Sequence, residues 1–71
     1  MNKQEILSAI KKSNVELSAK GIVNQAKVDA DSAALIRITD VCWEMVSEGL
    51  LIANDRREDV NGALFFGAAS Q

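Results

Sequence analysis

The sequence contains no histidine and no proline, and only one cysteine, Cys42. A lone cysteine excludes an internal disulfide. With no histidine beside it, it leaves too few nitrogen and sulfur donors for a structural zinc site, which takes about four. Cys42 also lacks the base that would activate it as a nucleophile, so a buried, inert thiol is the expectation. No glycine-rich phosphate loop and no dense set of metal ligands is present. Repeats, low-complexity tracts and linkers are absent as well. No apolar run approaches the roughly 20 residues of a membrane span, and the polar opening Met1–Glu5 has no signal-peptide core behind it. These absences predict one domain over residues 1–71, with an ordered core at about 3–67. It is not an enzyme on its own, has no cofactor, metal or small-molecule substrate, and does not enter a membrane. A single free thiol suits a reducing compartment, hence a cytoplasmic protein.

What is present is an ordinary globular balance, 48% hydrophobic and 25% charged. A chain of 71 residues buries only about 60% of its unfolded surface. With disulfide and metal excluded, further stability must come from a partner, often a second copy. The net charge of −2 weighs against nucleic acid. Its distribution is uneven, however. Residues 1–27 carry five lysines against Glu5 and Glu16, whereas residues 28–49 carry Arg37 against Asp29, Asp31, Asp40, Glu44 and Glu48. Such a field can still steer a polyanion to one face.

Hydrophobic spacing predicts the elements. A first helix covers about 3–13, opened by an Asn2/Glu5 capping box, with Ile6, Leu7, Ala9 and Ile10 as its apolar stripe. Lys11 and Lys12 favour the negative end of its dipole, and Ser13-Asn14 stops it. Val15–Leu17 alternates and is too short for a helix, so a small strand is expected. Ser18 caps a second helix over 19–27 through Ile22, Val23 and Ala26, which Gly21 weakens by up to about 1 kcal/mol. After the polar turn 28–32, a third helix runs to about Glu48 with Leu35, Ile38, Cys42, Met45 and Val46 on one face, ended by Gly49. Residues 50–53 and 63–67 read as a hairpin around the charged loop 54–62, and 68–71 as a tail. The strand at 15–17 has a partner only by joining the hairpin, giving one antiparallel sheet of three strands.

This α+β order of helix, short strand, helix, helix, hairpin resembles the winged helix-turn-helix family. The junction Cys42-Trp43-Glu44-Met45-Val46-Ser47-Glu48-Gly49-Leu50-Leu51 is similar to the family's entry from its third helix into the wing. Ile22 and Ala26 match the inward positions of its second helix, and Ile38, Cys42 and Met45 those of its recognition helix. Arg56-Arg57 fall at the wing tip. The chain departs from the pattern by about one extra helical turn within Asp31–Ile36.

The resemblance implies a double-stranded DNA-binding module, a small dimeric transcriptional regulator. Arg37 would enter the major groove, Arg56 and Arg57 the minor groove, and Lys20 and Lys27, with Lys11 and Lys12, would meet phosphates. The same residues support blander readings. At 100° per residue the outward face of the third helix also presents Asp40, Glu44 and Ser47, an acidic solvated surface. Asp55–Asp59 makes a self-neutralising loop tip, and surface lysines serve solubility. Ile36 and Trp43 share one flank of the helix. They either pack under a neighbouring element or form an apolar patch for a second copy or another protein, which is the alternative to DNA. Asp29 and Asp31 are expected as helix caps.

Overall fold

The structure is a computed structural model that describes residues 1–69. Three helices, α1 (Lys3–Ser13), α2 (Ala19–Ala26) and α3 (Ser32–Ser47), are followed by strands β1 (Leu51–Asp55) and β2 (Leu64–Ala68). The strands form a two-stranded antiparallel hairpin.

Local chemistry sets each boundary. Asn2 Oδ1 accepts from the Glu5 N–H at 2.8 Å and Glu5 Oε1 accepts from the Asn2 N–H at 3.1 Å, so the α1 capping box forms in both directions. Asn14 ends α1 in the left-handed region, φ 59°. Ser18 Oγ caps α2 by accepting from Gly21 N–H at 3.2 Å. Asp31 caps α3 by accepting from Ala34 N–H at 2.8 Å. Residues 32–36 are therefore the opening of α3 and not part of the turn before it. At the other end, Gly49 sits at φ 79°. Its N–H donates to Val46 O, and the Leu50 N–H to Met45 O at 2.9 Å. This paired closure needs a residue that tolerates positive φ at its C′ position, and it turns the chain straight into β1.

The core joins all five elements: Ile6, Ala9 and Ile10 of α1, Ile22 and Val23 of α2, Ile38, Cys42 and Met45 of α3, Leu51 of β1 and Phe66 of β2. Leu35 and Val46, expected on the same α3 face, are half-buried at its edge. In the hairpin, Leu51 pairs with Ala68, Ala53 with Phe66 and Asp55 with Leu64, which puts Leu51 and Phe66 on the inner face. Ile52 points outward, opposite Gly67.

The expected third strand is corrected. Residues 15–17 form no strand, and only Leu17 pairs with the hairpin. Its N–H donates to Phe66 O at 2.9 Å and its carbonyl accepts from Phe66 N–H at 2.7 Å. Three residues separate the α1 cap at Asn14 from the α2 cap at Ser18, too few to run alongside β2. Val15 is 62% exposed, and the Glu16 side chain turns aside to accept from Asn54 Nδ2 at 3.3 Å. The hairpin is also longer than expected. Ala68 belongs to β2 and pairs with Leu51, and the Ala69 N–H donates to Leu50 O. Of the expected tail, Ser70 and Gln71 lie outside the described residues.

The loop between the strands consists of two successive turns, Asp59 N–H to Arg56 O and Gly62 N–H to Asp59 O, closed by Arg56 N–H to Ala63 O at 3.0 Å. A Cβ on Gly62 would lie 1.6 Å from the Arg56 carbonyl oxygen, so only glycine fits.

Two substitutions test this account by urea denaturation followed through the fluorescence of the single tryptophan. Phe66→Ala is expected to cost about 3–5 kcal/mol. A chain of this length has roughly 4–10 kcal/mol in total, so the variant should be largely unfolded at room temperature. Gly62→Ala should cost roughly 1–3 kcal/mol through the loop backbone alone. An unchanged midpoint for either would show the assignment to be wrong.

Candidate interaction surface

The solvent face of α3 follows from its buried one. With Ile38, Cys42 and Met45 inward, the 100° step places Ala33, Ile36, Asp40 and Ser47 furthest outward. Arg37 and Glu44 lie on one flank and Trp43 on the other. The two flanks have different neighbours. Lys3 Nζ, at the start of α1, bridges Glu44 Oε1 and Glu48 Oε2, each at 2.9 Å. The Glu48 carboxylate, then that of Glu44, holds the Lys3 ammonium above its usual pKa by accepting its hydrogen bonds. On the opposite flank the Trp43 ring meets Phe66 edge-on, with centroids 5.5 Å apart and planes at 85°.

The structure thus divides the expected site residues. Ile36 is 64% exposed and Trp43 41% exposed, although one edge of Trp43 packs on the hairpin. Trp43 is anchored at one edge by the hairpin and open above, and Ile36 is open. Arg37 is exposed beside the 29–31 turn, in a shallow concavity with Asp29, Asp31 and Ala34. Lys20 is exposed on α2. Lys27 ends α2 with φ 59°. It lines a groove between α1 and α2 with Ser8, Lys12 and Gln25, and no α3 residue contributes to that groove.

At the loop, Arg56 and Arg57 differ. Arg57 is held by Asp55, with Nε donating to Oδ1 at 2.9 Å and Nη2 to Oδ2 at 2.6 Å, while its backbone N–H also reaches Oδ1. The Arg57 side chain, then its backbone N–H, brings the Asp55 carboxyl down to about 2, and Asp55 in turn raises Arg57. Arg56 is exposed, and among the described residues Arg56, Arg37, Lys11, Lys12, Lys20 and Lys27 make no ion pair. Val60, at the loop tip, is 93% exposed.

Sequence reasoning missed Lys3 as the residue that engages the acidic flank of α3. Its partners lie 41 and 45 positions away, and no local pattern signals a pairing of that kind. The Asp55–Arg57 pair is two residues apart and was legible as a self-neutralising tip, without the asymmetry between the two arginines.

No family model, no curated protein and no solved structure matches this chain. Among the described residues, no helix is long and apolar enough to cross a membrane.

Cys42 is fully buried on the inner face of α3. Burial penalises its thiolate and raises the pKa from 9.0 to about 11. The folded state therefore holds this proton more tightly than the unfolded state. That contribution to stability is complete below about pH 9 and is lost as the pH rises towards about 11. A thiol reagent at neutral pH should label native protein far more slowly than urea-unfolded protein. Cys42→Ala should lack part of the wild-type loss of stability above pH 9. Labelling of native protein at the rate of a free thiol would refute the burial.

Proposed function

We propose that this chain is a winged helix-turn-helix module that works by protein contact through the outward face of α3. The observation that carries the reading is the pairing of exposed Ile36 and exposed Trp43 on a helix face whose only cation is Arg37. Tryptophan anchored at one edge and open at the other is the kind of rigid apolar group that concentrates binding energy at protein interfaces. A base-reading helix instead offers Arg, Lys, Asn or Gln to the groove. Here Asp40 holds the centre of the face and would be driven against DNA phosphates.

A second reading, double-stranded DNA as the ligand of the same module, is favoured by the exposed and unpaired side chains of Lys11, Lys12, Lys20, Lys27, Arg37 and Arg56. Lys12 and Lys27 line the α1–α2 groove, to which α3 contributes nothing. The other four would give a salt slope of about −3.6, short of the 6–10 contacts of a strong site. Arg57 is engaged by Asp55. The magnitudes therefore favour protein. In either reading the module acts without a cofactor and, with its single buried thiol, suits a cytoplasmic protein.

Two measurements separate the readings. Fluorescence anisotropy with a random duplex library at about 50 mM salt should show no binding by wild-type protein. A photoreactive residue at position 36 should crosslink to protein in cells, and one at position 12 should not. The DNA reading takes precedence if wild type binds duplex, if Arg37→Ala and Arg56→Ala weaken that binding, and if Asp55→Asn, which releases Arg57, steepens the slope by about 0.9.

A further inference from the structure

We infer that the partner of α3 is a second copy of this chain, with the two α3 helices antiparallel about a two-fold axis beside Asp40. The inference rests on the protein-contact reading above and names its partner. It comes from the order of side chains along the exposed face. From the N-terminal end, Arg37 precedes Asp40 and Glu44, so the positive charge lies on one side of Asp40 and Glu44 on the other. A helix with this order is complementary to its own reversed copy, because an antiparallel partner presents Glu44 opposite Arg37.

The apolar residues carry the same symmetry. Ile36 and Trp43 lie one turn to either side of the same point, and so, further out, do the small residues Ala33 and Ser47. Each of these pairs is centred within half a residue of Asp40. An isologous contact demands this arrangement, in which residue i meets j and j meets i.

The flanks agree as well. In an antiparallel two-fold pair each flank of a helix meets the same flank of its partner. The flank of α3 next to α1 carries Arg37 and Glu44, with Lys3 held against Glu44, and there Arg37 meets the partner's Glu44. The outward face and its other flank carry Ile36 and Trp43, and there Ile36 meets the partner's Trp43. The two Asp40 carboxylates face each other near the axis, with an Arg37 one turn away on either side to offset them. One helix face from each copy is smaller than a standard interface of about 800 Å² per partner. That size belongs to the weak, transient end of protein association, and the range to survey runs from about 1 to several hundred micromolar.

Sedimentation equilibrium of the full chain at low salt tests this. Wild type should move from monomer to dimer as its concentration rises through that range. Arg37→Glu and Glu44→Arg should each weaken association roughly tenfold or more, because each variant's homodimer sets like charges against one another. An equimolar mixture of the two should recover wild-type association, since the mixed dimer restores both opposite-charge pairs. Circular dichroism melts establish that each variant is folded. Trp43→Ala should also dissociate the dimer, and no charge variant should rescue it. A wild type that stays monomeric at several hundred micromolar overturns the inference, and so does a mixture of folded charge variants that fails to associate. If position 36 meanwhile crosslinks to a different protein, the protein-contact reading stands and only the identity of the partner falls. If position 36 crosslinks to nothing and the chain is monomeric, both fall.

Discussion

The fold depends on one side chain, Phe66, and on the backbone groups around it. The ring is completely buried, touches the Trp43 ring of α3 edge-on and sits opposite Ala53 of β1. Its amide and carbonyl are both taken by Leu17. A two-stranded hairpin is marginal by itself. Here the bridge to Leu17 pins it to the segment between α1 and α2, and the ring wedges it against α3. In a domain too small to draw on many core layers, this aromatic residue, with Leu51 of β1 beside it in the core, joins the sheet to the helical layer. Trp43 owes its posture to the same ring, because Phe66 supports one edge and leaves the other to solvent.

Most of the fold was legible because most of it is local. Caps at Asn2, Ser18 and Asp31, the stop at Gly49 and the apolar stripes of three helices depend on spacings of a few residues, and a sequence carries these directly. The third strand was misread because alternation at Val15–Leu17 is also local, whereas pairing depends on how far the chain can travel between two caps. With Asn14 and Ser18 fixed, only Leu17 reaches β2. The candidate surface was legible in part. Helical periodicity placed Arg37 and Asp40 on the solvent side of α3 and Ile36 with Trp43 on one flank, without deciding whether that flank is covered. It could not separate Arg56 from Arg57 or show Lys27 in the α1–α2 groove, because those outcomes depend on side-chain direction in three dimensions.

Charge in this molecule is arranged more than it is summed. A net value of −2 conceals carboxylates that already have work: Asp31 closes the start of α3, Asp55 grips Arg57, and Glu44 and Glu48 share Lys3. Lys3 thereby ties the start of the chain to the end of its longest helix. It also offsets part of the negative charge on that flank of α3, one ammonium against two carboxylates. Asp40 is left as the carboxylate that stands furthest out on that helix, among apolar and small neighbours. The character of the face therefore comes from a few uncommitted side chains.

The loop between the strands is short on freedom. Two consecutive turns, a glycine that admits no substitute and a carboxylate–guanidinium clasp fix its backbone, and Val60 rides at its tip almost wholly in water. Flexible loops lose conformational entropy when something docks on them, and that loss subtracts from affinity. Here the turns and the clasp restrict the backbone before anything docks. A surface that reaches Val60 would therefore meet an apolar side chain on a loop with less ordering left to lose.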